Sequence, residues 1–67
     1  MFYNIEIERI RNRMSKAEMA NKLDVSPNIL NSWIAGRRAI PASKMRELSL
    51  LFGGISMDYL LNKNAKS

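Results

Sequence analysis

Residues 16–35 read KAEMANKLDVSPNILNSWIA, and the fold is decided there. Ser15-Lys16-Ala17-Glu18 has the form of a capping box, in which a serine oxygen accepts the backbone N–H three residues on and the glutamate reaches back. The helix it opens places Met19, Ala20 and Leu23 inward. Asp24-Val25 breaks the pattern. Ser26-Pro27 then starts another helix, with serine as cap and proline at the first helical position, where its missing N–H costs nothing. Leu30, Trp33 and Ile34 give that helix an apolar side, and Gly36 can close it in a left-handed conformation. Ala20 lies where two helices would cross closely, and Val25 can plug the gap between them. Two short helices joined by a three- to four-residue turn, packed steeply and sharing one core, make a helix-turn-helix.

Outward from this stretch, every segment reads as helix. Asn4 is expected to cap a first helix with Glu6 and Glu8 in its opening turn, where acids suit the helix dipole. Ile7, Ile10 and Met14 recur at helical spacing and are expected to form its buried stripe. A fourth helix is expected from Ala42 to Phe52, with Met45, Leu48 and Phe52 inward and Gly53-Gly54 as its stop. Ser56 caps a short fifth helix carrying Met57, Leu60 and Leu61. One domain over residues 1–67 is expected, ordered over about 4–62 with a polar tail at 63–67.

Composition narrows the function. The chain has eleven Lys and Arg against six acids, a net charge of +5, with no cysteine and no histidine. Those absences remove disulfides, the usual zinc ligands and the usual general base near neutral pH. No apolar run approaches the roughly twenty residues that span a bilayer, and Glu6, Glu8 and Arg9 interrupt any signal-like stretch near Met1. A soluble cytoplasmic protein without catalytic residues, metal or cofactor is expected. Positive charge favours phosphate-bearing partners, nucleic acid foremost, although a basic balance also serves solubility alone.

The residues MSKAEMANKLDVSPNILNSWIAGRR (14–38) and IPASKMRELSLLFGGISMDYLL (40–61) resemble the phage-repressor-like helix-turn-helix family, the Cro and Xre type of bacterial and phage regulators. The resemblance covers about residues 5–61. It implies an all-α, five-helix, lambda-repressor-like domain that binds double-stranded operator DNA as a homodimer and regulates transcription, as a repressor. It also implies a cytoplasmic protein of bacterial or phage origin, held at the nucleoid by its DNA. The chain departs from the family pattern in having Asp24 where the turn usually has glycine, which demands a left-handed backbone at an aspartate. It has Ile34-Ala35 in place of Glu-Asn, so Arg9 or Arg11 is expected to be free of its usual glutamate. The link between the first two helices is also shorter than usual.

Opposite the apolar side of the third helix lie Asn28, Asn31, Ser32 and Ala35. A merely solvated helix face favours Lys and Glu; short amides and a hydroxyl suit the major groove, where Asn bonds bidentately to adenine and Ser pairs with several base edges. Pro27, Asn28, Asn31 and Ser32 are the expected base contacts, with Pro27 and flanking Ile29 able to touch a thymine methyl. The bland alternative is ordinary surface polarity near a cap. Ser15, Lys16, Ser26, Arg37, Arg38, Ser43 and Lys44 are the expected phosphate contacts, at helix N-termini or directly after the third helix. About eight such contacts in a dimer imply a log–log salt slope of about −7.

Trp33 and the five methionines read as core filler. Ile55, Met57, Tyr59 and Leu61 offer the apolar area for a dimer surface. The competing function is a protein-interaction module, such as an antitoxin-like partner on the same fold. Its mark is an apolar or acidic face on the third helix. A membrane-surface helix needs a longer basic amphipathic stretch than any here.

Overall fold

Ser15 and Ser26 each accept a backbone N–H three residues ahead, from Glu18 at 3.0 Å and from Ile29 at 3.2 Å. The two caps fix the starts of the central helices. In the computed structural model, which describes residues 1–62, five helices follow in order: α1 (Tyr3–Arg11), α2 (Lys16–Lys22), α3 (Pro27–Ala35), α4 (Ala42–Leu51) and α5 (Met57–Leu60). No strand occurs among the described residues. The expected tail at 63–67 lies outside them.

The turn between α2 and α3 forms as its residues dictate. Asp24 takes φ +58°, the left-handed conformation that its short polar side chain tolerates. The Val25 N–H donates to the Ala20 carbonyl at 3.0 Å, and its side chain packs half-buried against the core. Lys44 fastens the turn from outside the motif: its Nζ donates to the Leu23 carbonyl, the α2 C-cap, at 2.7 Å. Gly36 ends α3 with φ +79°, and the Arg37 N–H returns to the Ser32 carbonyl at 2.9 Å. A side chain at Gly36 would be strained by that backbone alone.

Met19, Ala20, Leu23, Leu30, Trp33 and Ile34 are buried as their spacing requires, joined by Ile5, Met14, Met45, Leu48 and Leu60. Ala20 allows α2 and α3 to pack closely. Phe52 forms the C-cap of α4 and packs half-buried against this core. Met14, Met19 and Met45 fill the core, whereas Met1 and Met57 are exposed, so two of the five methionines depart from the expected role.

The first helix corrects two expectations. It starts at Tyr3 behind an N-cap of Phe2, with no side-chain cap; the Phe2 N–H instead donates to the Ile34 carbonyl at 2.8 Å. Asn4 is therefore inside the helix and buried, its Nδ2 donating to the Tyr59 carbonyl at 2.8 Å. The buried face is Asn4, Ile5 and Glu8. Ile7 and Ile10 are 38% and 63% exposed. The apolar stripe is real but faces outward, because α5 supplies buried partners for the polar side.

Candidate DNA-binding surface

On α3, residues 28, 31, 32 and 35 share the face opposite Leu30, Trp33 and Ile34, as a 100° step per residue requires, and Pro27 stands at the first position of the helix. Pro27, Asn28 and Ala35 are exposed, while Asn31 and Ser32 are half-buried. The Ser32 hydroxyl donates to the Asn28 carbonyl at 3.0 Å. With its proton so used, Ser32 meets an incoming group as an acceptor. Ile29 is half-buried and packs against the core, so its side chain is partly withdrawn from the outer face.

Six of the seven expected phosphate contacts are exposed: Ser15, Lys16, Ser26, Arg37, Arg38 and Ser43. Ser15 and Ser26 use an oxygen lone pair as cap acceptor, which leaves each hydroxyl proton free to donate outward. Arg37 and Arg38 follow the Gly36 cap and have no ion pair among the described residues. Lys44 differs. It is half-buried, bonded to the Leu23 carbonyl and 3.4 Å from the Glu47 carboxylate. Its ammonium is engaged inside the domain, so it positions the turn.

The arginines of α1 are not free either. Arg9 meets Glu6 with two nitrogens, at 2.9 and 3.0 Å, and donates a third bond to the Met14 carbonyl at 2.7 Å. Arg11 pairs with the buried Glu8 carboxylate at 3.1 Å. With isoleucine at position 34, both arginines pair with acids on their own helix. The hydrogen bond from Arg9, aided by the charges of Arg9 and Lys16, holds the Glu6 carboxyl below its ordinary value against the opposing effect of burial. The same bond raises Arg9. Burial, then the hydrogen bond to Glu8, pushes the Tyr59 hydroxyl up.

Arg46 was not singled out from the sequence. It is exposed and, with Ala42, Ser43 and Glu47, lines an open depression of about 430 Å³ beside the start of α4. The signal was available: an arginine three residues after Ser43 stands on the same helix face. α4 starts at Pro41 without a side-chain cap, and its first N–H groups carry the positive end of the helix dipole.

Among the described residues no group of three or more His, Cys, Asp or Glu could hold a metal ion, and no helix is long and apolar enough to cross a membrane. The α3 face is uncharged and hydrogen-bonding, with Arg37 and Arg38 exposed beyond its C-terminal end. A family model described as helix-turn-helix matches residues 5–60. No curated protein and no solved structure matches the chain.

Proposed function

The chain belongs to the helix-turn-helix family of DNA-binding regulators, and from that premise we propose that it is a sequence-specific repressor reading the major groove of double-stranded DNA with α3. The observation that carries this reading is the division of the surface around α3. The outer face offers Asn28, Asn31 and Ser32, with Pro27 exposed at its N-terminal edge, whereas Arg37 and Arg38 stand at its other end with no ion pair among the described residues.

Asn28 and Asn31 supply base readout, since one amide can both donate and accept on an adenine edge. Ser32 accepts from a base amino group, because its own proton is held by Asn28. Pro27 supplies apolar contact. Ser15, Lys16, Ser26, Arg37, Arg38 and Ser43 set register on the phosphates, with Arg46 an addition to that set. Lys44 acts indirectly, by holding the turn that aims α3.

The operator is pseudo-palindromic and takes a homodimer, one α3 per half-site, with half-site centres about 34 Å apart. No catalytic residue, cofactor or small-molecule ligand is assigned. The protein works in the cytoplasm, at the nucleoid of a bacterial or phage-infected cell. Selection from random duplex DNA at physiological salt tests the reading. Two related half-sites about one helical turn apart are expected; recovery of unenriched sequence sinks it.

The second reading, a protein-gripping module, is favoured by one observation only. That is the exposed apolar side of α1, and it lies on a different helix from the reading face.

A further inference from the structure

We propose that two copies of this chain associate through the outer face of α1, with Tyr3, Ile7 and Ile10 as the contact. The three residues follow one another by four and three positions, so they form a single line along the helix. They are 45%, 38% and 63% exposed. Their chemistry is that of a core stripe, yet the helix turns its polar residues Asn4 and Glu8 inward instead. Burial of those two is explained by their bonds to Tyr59. Exposure of the stripe has no such cause inside the domain.

Two features select a second copy as the occupant. The first is charge. α1 holds Glu6, Glu8, Arg9 and Arg11, so its net charge is zero and the whole +5 of the chain lies elsewhere. Each arginine is already matched to an acid on the same helix. Two copies of a basic chain repel over most of their surfaces, and at α1 they do not. The same neutrality makes this face a poor match for phosphate or for an acidic partner.

The second feature is spacing. A two-fold contact brings the same patch together from both sides, so the patch must complement itself. Antiparallel packing of two α1 helices about Ile7 sets Tyr3 of one copy against Ile10 of the other, and Ile7 against Ile7, within about one residue's rise of 1.5 Å. Aromatic and β-branched side chains then interleave along one helix length. The area is small: three partly exposed side chains cover on the order of 300 Å² a side, against about 800 Å² in a standard interface. A weak, reversible dimer follows.

The α5 surface is the rival. Ile55 packs against the core and Tyr59 is bonded to Glu8, which leaves Met57 and Leu61 as its exposed apolar residues. The inference deepens the proposed function by naming where the dimer forms, but it is read without DNA.

Sedimentation equilibrium of the full chain from about 5 to 500 µM decides it. The wild type is expected to show a reversible monomer–dimer equilibrium. Ile10→Glu alone, and Ile7→Glu with Ile10→Glu, should weaken it at least about tenfold, while Met57→Glu with Leu61→Glu leaves it in place. A wild type that stays monomeric, α1 variants that dimerise normally, or a dimer lost only in the α5 variant overturns the proposal. Ile10 is the most exposed of the three, so the single variant keeps the test valid should the double variant fold poorly. Binding of Ile10→Glu to a duplex carrying one half-site is expected at wild-type affinity, and that readout separates failure of the dimer surface from failure of DNA reading.

Discussion

The Tyr59 hydroxyl donates to the Glu8 carboxylate at 3.0 Å, across 51 residues of chain. Glu8 is buried, and its remaining charged partner is Arg11 on the same helix. With the Asn4 bond to the Tyr59 carbonyl, this contact fastens α5 to α1. Removing a donor from a buried carboxylate costs about 2 kcal/mol, because the charge keeps its desolvation penalty and loses the compensating bond. Tyr59→Phe is therefore expected to lower unfolding stability by about that amount in urea titration, with the helical signal of the native state intact. A loss under about 0.5 kcal/mol means the bond contributes nothing net.

Lys44 and Arg37 are both basic and their positions suit phosphate alike, but their surroundings separate them. Lys44→Met removes the bond to the Leu23 carbonyl and the contact with Glu47, and should cost about 1–2 kcal/mol of stability. Its effect on the salt dependence of DNA binding should be near zero. Arg37→Gln should do the reverse: stability within about 0.5 kcal/mol of wild type, and a log–log salt slope on a single half-site shallower by about 0.9. Parallel urea and salt titrations of the two variants give the answer. A shallower slope for Lys44→Met means its ammonium leaves Leu23 to meet phosphate.

Local rules made the central motif legible. Caps at Ser15 and Ser26, the proline at the start of α3, the Gly36 stop and the buried Leu30-Trp33-Ile34 side all depend on residues within a turn of one another. Placement of α1 depends on residues far away. Apolar periodicity pointed to Ile7 and Ile10 as core, but Asn4 and Glu8 find partners on α5, 55 and 51 positions along the chain, and nothing within α1 announces them. Lys44 escaped for the same reason, since its acceptor lies 21 residues back. Composition counts a lysine; only tertiary structure says whether its charge faces outward.

The Glu6–Arg9 pair gives stability a defined pH dependence. The side chains are 18% and 16% exposed, so solvent screens the pair only in part. Hydrogen bonding to Arg9 keeps the folded Glu6 carboxyl below its ordinary value of 4.5. Its contribution is therefore complete above 4.5 and is lost as pH falls through the lower folded value. The hydrogen bond to Glu6 raises the Arg9 guanidinium further, so its charge persists throughout this range. Glu6→Gln should cost about 0.5–1 kcal/mol at pH 7, and the gap from wild type should close on acidification below 4.5. Urea titrations at pH 7, 4 and 3 measure it; an unchanged gap at pH 3 shows that ionisation of Glu6 is not its source.

The reading face makes the sharpest demand, because it predicts a change in preference and not merely in strength. Asn28 stands fully outward on α3, whereas Asn31 is half-buried one turn later on the same face. Each alanine substitution should remove about 1–3 kcal/mol of discrimination at one base pair, provided the amide makes a bidentate contact there. Two substitutions three residues apart should relax different base pairs of the half-site, since the groove advances along the helix. The phosphate set is untouched, so the salt slope should stay as in wild type. Competition binding against half-sites varied one base pair at a time separates these effects. Should Asn28→Ala and Asn31→Ala weaken all duplexes equally, α3 would be holding the backbone, and base recognition would have to come from another part of the surface.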